Sequence, residues 1–534
     1  MLGKILLSAL AIYVMASVGI PGFFTSLIII LFFTSGVYAL QFACAPLNKA
    51  SSFLSLARDS SLVPPYDFRD SGEEQNKSRS LVGNNESDNK AEIIHFCFLV
   101  HGYKGHYGDL SYFETVLQHR ASVERSRLGQ DPYETDDDFV LVPTNSNNKD
   151  TSPPRLQEMI MHNVVCNSGK TNDGIINGGD RLVEEITMTI ESKMNERFPA
   201  PESYQNESSI KNTAPEKLHD ITISVIGNSM GGLYGRYAIA KLIERHCVAG
   251  NTRATKNIWI LNDKYRLHLD TFCTTASPHL GVSQHTWLPV PRIVELGAAA
   301  TMGQTGSDLF RLNDLLYTMC TDSTFLNPLA SFRKRIAYAN CYGTDFPVPV
   351  KTAAFLSDKS TYPHQIESNF KVEKECGLVI ATLTTKANEE VTDTNESSLD
   401  DVYQISVSLD KLGWKKVFVD LQKEMMSISL PNLGSRGGDN SGGSNRRLQE
   451  WKKLKTEVTS KDMANAVTGF FENDGDDLLT LRAPVGHNMI VGFSRDRFSS
   501  LMNKGGRPLV DALSKELIRD IFVTHSRREE EKKK

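Results

Sequence analysis

Ile221-Thr222-Ile223-Ser224-Val225-Ile226-Gly227-Asn228-Ser229-Met230-Gly231-Gly232 is an apolar, β-branched run that ends in a G-x-S-x-G pentapeptide. A helix-like segment, Leu233 to His246, follows it. The order strand, sharp turn, helix lifts a serine hydroxyl above the end of a buried sheet, within reach of a substrate. Ordinary glycine and serine usage produces such a pentapeptide by chance often enough that the motif alone decides little. Its setting decides more. Gly231, Gly232 and Gly235 allow a strand and a helix to approach closely enough to hold Ser229 in a strained turn.

A serine hydroxyl needs a base to take its proton, and the base needs a carboxylate to orient it. On a strand–serine–helix turn of this kind the chain order is serine, acid, histidine, with the acid in a loop just past a strand. Asp345 follows the strand-like run Arg335 to Cys341 and is the expected acid. An Asx-turn residue ahead of Pro347 is the plain alternative. Asp322, in a helical neighbourhood, and Asp358 fit less well. His364, His487 and His525 follow Asp345. His525 adjoins the charged tail, and His364 follows a proline in a polar stretch. His487 lies in a glycine-containing loop between two strand-like runs, Leu478 to Leu481 and Met489 to Phe493, and is the expected base. His279 and His285 precede the acid and fit loop structure or pocket lining.

Acyl transfer also needs donors for a tetrahedral oxyanion, and losing one costs about 10²–10³-fold in rate. The amide of Met230, next after the serine, is one. The second is expected from His101-Gly102-Tyr103-Lys104-Gly105, after the apolar run Ile93 to Val100, as the amide of Gly102 or Tyr103. His101, His279 and Trp287 are candidate substrate-lining residues. The segment Trp287 to Ala300 reads equally as a cap over the site or as ordinary helix packing.

Around these motifs the chain alternates strand-like and helix-like segments. Ile93–Val100 is near-continuously apolar, as in a strand buried on both faces. Asp109 to Arg127 is helix-like, and a strand is expected near Phe139 to Pro143. Asp180 to Phe198 sets Leu182, Val183, Ile186, Ile190 and Met194 on one helical face. Leu267 to Thr275 reads as a further strand. Gln404 to Leu421 holds strand-like alternation around Trp414 to Val419, and Pro508 to Phe522 is an amphipathic helix. This alternation predicts an α/β class with a mostly parallel central sheet and helices on both faces. Thr384 to Leu399 reads as a loop or insertion, and the Gly/Ser/Asn-rich stretch about 431–447 as disordered.

The 534-residue chain is 40% hydrophobic and 23% charged, with room for a large core. Its formal net charge of -5 gives no reason to expect a nucleic-acid partner. Eight scattered cysteines lack C-x-x-C spacing, so neither zinc nor any other metal is expected, and Cys97 and Cys273 read as small buried hydrophobes. No charged residue occurs from Ile5 to Leu47, and Pro21-Gly22 divides that stretch into two apolar runs. The second, Phe23 to Phe42, is long enough to span a bilayer at about 1.5 Å per residue. A cleaved signal peptide, a single anchor and a re-entrant hairpin compete here. The length favours an anchor, one span or a hairpin, over residues 1–47. Residues 48–91 read as a polar tether, 92–525 as the catalytic domain and 526–534 as a charged tail. Free-looking cysteines favour a cytosol-facing domain at an endomembrane such as the endoplasmic reticulum. The sequons at Asn76, Asn85, Asn206 and Asn395 would favour a lumenal one.

Blocks across the chain resemble the eukaryotic putative serine esterases, a family of lipase-like α/β-hydrolases. They are Leu99-Val100-His101-Gly102, Gly227 to Leu233 with Gly235-Arg236-Tyr237-Ala238, Thr275 to Gly281, Thr305 to Phe310, Arg335 to Asn340, Asp345 with Lys351-Thr352-Ala353, Trp414 with Val417, and Gly486-His487-Asn488. They run in family order from about residue 92 to 495. The chain departs from the pattern at Asn228, where many members carry histidine, and by one extra residue before Asp345. The resemblance implies an α/β-hydrolase fold, no cofactor, and hydrolysis of carboxylic esters, lipids above all, by Ser229, Asp345 and His487. A catalytically silent hydrolase fold acting as a membrane scaffold is the rival reading. A deacylase or acyltransferase for another lipid-linked substrate is a third.

Overall fold

A computed structural model describes residues 92–129, 155–199, 218–250, 258–283, 292–345, 347–367, 376–389, 400–422, 424, 427–429, 457–467, 480–482 and 486–527. Contacts divide the chain into a unit of 1–87 with 288–295 and a unit of 88–287 with 296–534; the architecture below belongs to the second. The segments expected as membrane anchor (1–47) and tether (48–91), the strand expected near Phe139 to Pro143, Trp287 and residues 431–447 lie outside the described residues. Among the described residues no helix is long and apolar enough to cross a membrane.

In chain order the elements are β1 (Glu92–Val100), α1 (Ser111–Gly129), β2 (Arg155–Asn163), α2 (Gly174–Arg197), β3 (His219–Asn228) and α3 (Met230–His246). Next come β4 (Cys247–Ala249), β5 (Trp259–Leu261), β6 (Tyr265–Thr275), α4 (Arg292–Thr301), α5 (Gln304–Leu309), α6 (Leu315–Thr321), α7 (Ser323–Ala330) and β7 (Lys334–Asn340). The chain continues through α8 (Val350–Ala353), β8 (Pro363–Ile366), β9 (Val379–Thr384), α9 (Asp401–Asp410), β10 (Lys415–Val419), β11 (Ser427–Ser429), β12 (Glu457–Thr459), α10 (Ser460–Val467), β13 (Thr480–Arg482), α11 (Gly486–Met489), α12 (Arg497–Met502) and α13 (Arg507–Arg527).

Eleven strands form one sheet in the order β12-β8-β9-β10-β7-β6-β3-β1-β2, with β5 on β6 and β4 on β5. The six strands from β10 to β2 are parallel to their neighbours. The β10-β9, β9-β8, β8-β12, β6-β5 and β5-β4 pairs are antiparallel. The sheet is therefore mixed: a parallel core with antiparallel extensions, where alternation alone predicted a mostly parallel sheet. β8 and β9 are neighbours both in chain order and in the sheet, so antiparallel pairing is open to them.

β1 shows how one strand serves two layers. Ile94, Phe96, Phe98 and Val100 pack with α2 and α3 on one face, whereas Cys97 and Leu99 pack with α1 and α13 on the other. Side chains alternate across a strand, so a run apolar at every position builds both cores at once. The predicted face of α2 (Leu182, Val183, Ile186, Ile190 and Met194) is buried as a set. β2 and α9 were not expected. Met489 to Phe493, expected as a strand, is instead a turn after α11, with Gly492 at φ 57° and the Phe493 amide donating to the Asn488 carbonyl at 3.1 Å.

Candidate active site

The first crossover sets the location. α1 follows β1 on one face of the sheet and α3 follows β3 on the other, while β1 and β3 are parallel neighbours. Outgoing chains that part in this way leave a crevice beyond the carboxyl ends of the two strands, the usual place for a ligand in an open α/β sheet. The His101–Gly105 loop and Ser229 occupy those two ends.

Ser229 stands between β3 and α3 at φ 55°, ψ −129°, a conformation that costs a non-glycine residue about 1–3 kcal/mol. Its amide donates to the Thr275 carbonyl at 2.8 Å, and its carbonyl accepts from the Gly232 amide at 3.1 Å. Thr275 Oγ1 donates to Asn228 Oδ1 at 3.0 Å. Asn228, the departure from the family pattern, therefore ties the strand end to β6. Met230 opens α3, and first-turn amides have no acceptor inside their own helix.

The loop after β1 lies directly against the serine. A methyl group in place of the Gly102 hydrogen would stand 2.6 Å from Ser229 Cβ and 3.0 Å from Oγ. A methyl group on Gly231 would stand 2.1 Å from the Val100 carbonyl oxygen, so the start of α3 abuts the end of β1. Met230 and Gly102 thus lie beside Ser229.

Asp345 lies in the loop after β7, buried, and accepts from Asn340 Nδ2 and from the Val348 amide, each at 2.9 Å. His487 lies on α11, whose Gly486 amide donates to the Thr344 carbonyl at 2.8 Å. His487 Nδ1 is 2.9 Å from Asp345 Oδ2 and 3.1 Å from Oδ1. A carboxylate only accepts, so Nδ1 carries the proton and Nε2 keeps its lone pair for proton abstraction. Asp345, His487 and Ser229 all stand beyond the carboxyl ends of β7 and β3.

The other expected residues have different surroundings. His101 is 2% exposed, with Nδ1 donating to the Gly102 carbonyl at 3.2 Å and Nε2 3.4 Å from Ser168 Oγ. Burial lowers its pKa below the ordinary value. His279 is fully buried: Arg236, which can only donate, faces Nδ1 at 3.3 Å, so Nε2 carries the proton toward Thr274 Oγ1 at 3.1 Å. Burial, then the Arg236 charge, holds its pKa well below the ordinary value. Both histidines brace the interior rather than offering a free ring nitrogen to a substrate. Asp322 caps α7 through the Thr324 amide, and Asp358 pairs with Lys351 at the surface. His364, on β8, joins a sealed cluster with Lys416 and Asp410. His525 lies on α13, and His285 lies outside the described residues. No group of three or more His, Cys, Asp or Glu among the described residues could hold a metal ion. The same residues contain seven free cysteines. Sequence reading missed Asp109, Thr171 and Arg495, which hold the Gly102 loop; no local pattern marks them.

The family model described as Putative serine esterase (DUF676) matches residues 90–358, half of the chain, including β1, the Gly102 loop, Ser229 and Asp345. The chain belongs to that family. It is accordingly a member of a serine hydrolase family, and its α/β architecture is in keeping with one. No curated protein matches the sequence. Among solved structures, phospholipase PlaB from Legionella pneumophila in complex with thio-NAD is similar at 7% identity and a TM-score of 0.22. That match covers 46% of this chain and 38% of the phospholipase, and at that level neither fold nor activity follows from it.

Proposed function

We propose that the chain is a membrane-anchored serine esterase of α/β-hydrolase fold that cleaves carboxylic esters of lipids. One observation carries the reading: His487 Nδ1 sits on the Asp345 carboxylate at 2.9 Å, at the sheet edge where Ser229 stands in its strained turn. Ser229 Oγ attacks the ester carbonyl as His487 Nε2 takes its proton. The amides of Met230 and of Gly102 or Tyr103 receive the oxyanion. The imidazolium, steadied by Asp345, protonates the departing alkoxide. Water, activated by the same nitrogen, then releases the acid from the acyl-enzyme. Serine, acid, histidine is also the chain order of α/β-hydrolases.

A fluorophosphonate probe is expected to label the chain at Ser229, and Ser229→Ala to abolish both labelling and ester cleavage. Labelling that survives the substitution overturns the assignment. The apolar runs within residues 1–47 support a membrane anchor that keeps the catalytic domain beside its lipid substrate, on the cytosolic side of an endomembrane. Deleting residues 1–47 is expected to move the chain from the carbonate-resistant membrane pellet to the supernatant. Retention in the pellet removes the anchor from the proposal.

A further inference from the structure

The Gly102 loop owes its shape to residues far away in sequence. Its peptides are trans, so the Gly102 carbonyl and the Tyr103 amide of one peptide plane point in opposite directions. The Gly102 carbonyl is held inward by the Gly105 amide at 3.0 Å and by His101 Nδ1 at 3.2 Å. The Tyr103 N–H therefore faces out of the turn. Lys104, which closes the turn, has φ 53°, a conformation uncommon for a lysine. It is held from both sides: its amide donates to Thr171 Oγ1 at 2.8 Å, and its carbonyl accepts from Arg495 Nη2 at 3.0 Å.

Arg495 also forks onto Asp109, with Nε 2.6 Å from Oδ1 and Nη2 2.9 Å from Oδ2. Asp109 is buried, accepts the His106 amide at 2.8 Å and receives the Ser494 amide on its carbonyl at 3.1 Å. Arg495 belongs to the segment that carries His487. Hydrogen bonds from Ile490 to Gly486, Gly492 to Met489 and Phe493 to Asn488 knit residues 486–493 into one unit, and Gly486 is fastened to Thr344 beside the acid. The fork thus joins the loop that supplies an oxyanion donor to the segment that supplies the base.

We propose that Asp109 and Arg495 are positioning residues that hold the Gly102–Tyr103 peptide in register with His487, so that oxyanion donor and base meet the same tetrahedral centre. This rests on the esterase reading above. A misplacement of about 1 Å at such a centre can cost on the order of 10²-fold in rate, whereas a merely structural pair would change how many molecules fold and not what each folded one does.

The test uses the full chain, p-nitrophenyl butyrate as substrate and active sites counted by fluorophosphonate titration. In Asp109→Asn and Arg495→Met, kcat per titrated site is expected to fall roughly 10- to 100-fold, with KM changed less than about threefold. The inhibition constant of a trifluoromethyl ketone, which forms a tetrahedral adduct with the serine, is expected to rise in step. Arg495→Lys keeps the charge but not the planar fork and is expected to be nearly as impaired as Arg495→Met. The double variant is expected to fall within about threefold of the worse single one, because both changes break the same link. Turnover per site and ketone affinity within about threefold of wild type in the variants overturn the proposal while leaving the esterase reading intact. If Asp109→Asn or Arg495→Met does not fold, Arg495→Lys decides by the same criterion. A wild-type chain that neither labels at Ser229 nor cleaves the ester overturns the esterase reading itself.

Discussion

At the scale of single residues, the site depends on who stands next to Ser229. The serine is held at φ 55° by donating to Thr275 in the sheet and accepting from Gly232 in the helix, and Gly102 packs against it. Ser229 Cβ and Oγ have little freedom to retreat, because the turn that carries them is tethered to β6 and to α3. Gly102→Ala is therefore expected to lower kcat/KM by at least about 100-fold, with only a small shift in melting temperature. Wild-type turnover in that variant would show that the loop stands elsewhere. Most of this neighbourhood was legible in the linear sequence. Ser229, Asp345 and His487 come in the expected order, each with a recognisable local context. The braces His101, Asp109, Thr171 and Arg495 were not legible in those roles, since each acts through a partner chosen by the fold.

At the scale of elements, α3 matters as the piece that presents the serine. Its first turn meets the end of β1 with no room for a side chain at Gly231, and the obstructing atom is a strand carbonyl that cannot rotate away. Gly231→Ala must push helix and strand apart. It is expected to destabilise the fold by about 1–3 kcal/mol and to remove most activity by displacing the Met230 amide. A urea midpoint equal to that of the wild type would contradict this. Elements apolar along a whole strand or a helical face were readable: β1, β3, β6, β7, α2 and α13. β2 escaped notice because among the described residues it pairs only with β1, and its Arg155, Gln157, Glu158 and His162 interrupt the apolar pattern. α9 escaped because buried Ser406 and Asp410 break its apolar face. Met489 to Phe493 misled because a buried turn at Gly492 is as apolar as a strand.

At the scale of the whole molecule, the two faces of the sheet carry buried ionisable groups that link stability to pH. Burial lowers His95 from an ordinary 6.5 to about 4, and holds His279 and His364 well below the ordinary value, helped by Arg236 and Lys416 respectively. Below pH 6.5 the unfolded chain gains protons at these rings that the folded chain refuses, so stability present above pH 6.5 is lost as the pH falls. For His95 alone the loss amounts to about 3 kcal/mol by pH 4. Asp410 works in the opposite sense. Burial raises its carboxyl from 3.8 to about 6, against the pull of Lys416, so its contribution is fully present below pH 3.8 and fades as the pH rises through 6. Two carboxyls raised by burial, Asp410 and Glu114, oppose four buried imidazoles, His101 included, so the urea midpoint is expected to drop steadily from pH 7 to pH 5. A flat or rising profile over that interval would contradict the assignment of these histidines as buried and neutral.

The sequence by itself determined the α/β class and the strand–serine–helix turn, and it singled out Asp345 and His487, which the structure brings into hydrogen-bond contact. Those follow from local rules: apolar periodicity, glycine where backbones touch, and a serine between strand and helix. Only the tertiary structure decided that the sheet is mixed, that His101 and His279 are interior braces, and that Arg495 reaches from the His487 segment to the Gly102 loop. The widest of these pairings, His101 with Ser168, His279 with Arg236 and Arg495 with Asp109, join residues tens to hundreds of positions apart. Their energy depends on distance and burial in the folded chain, quantities that no stretch of sequence carries.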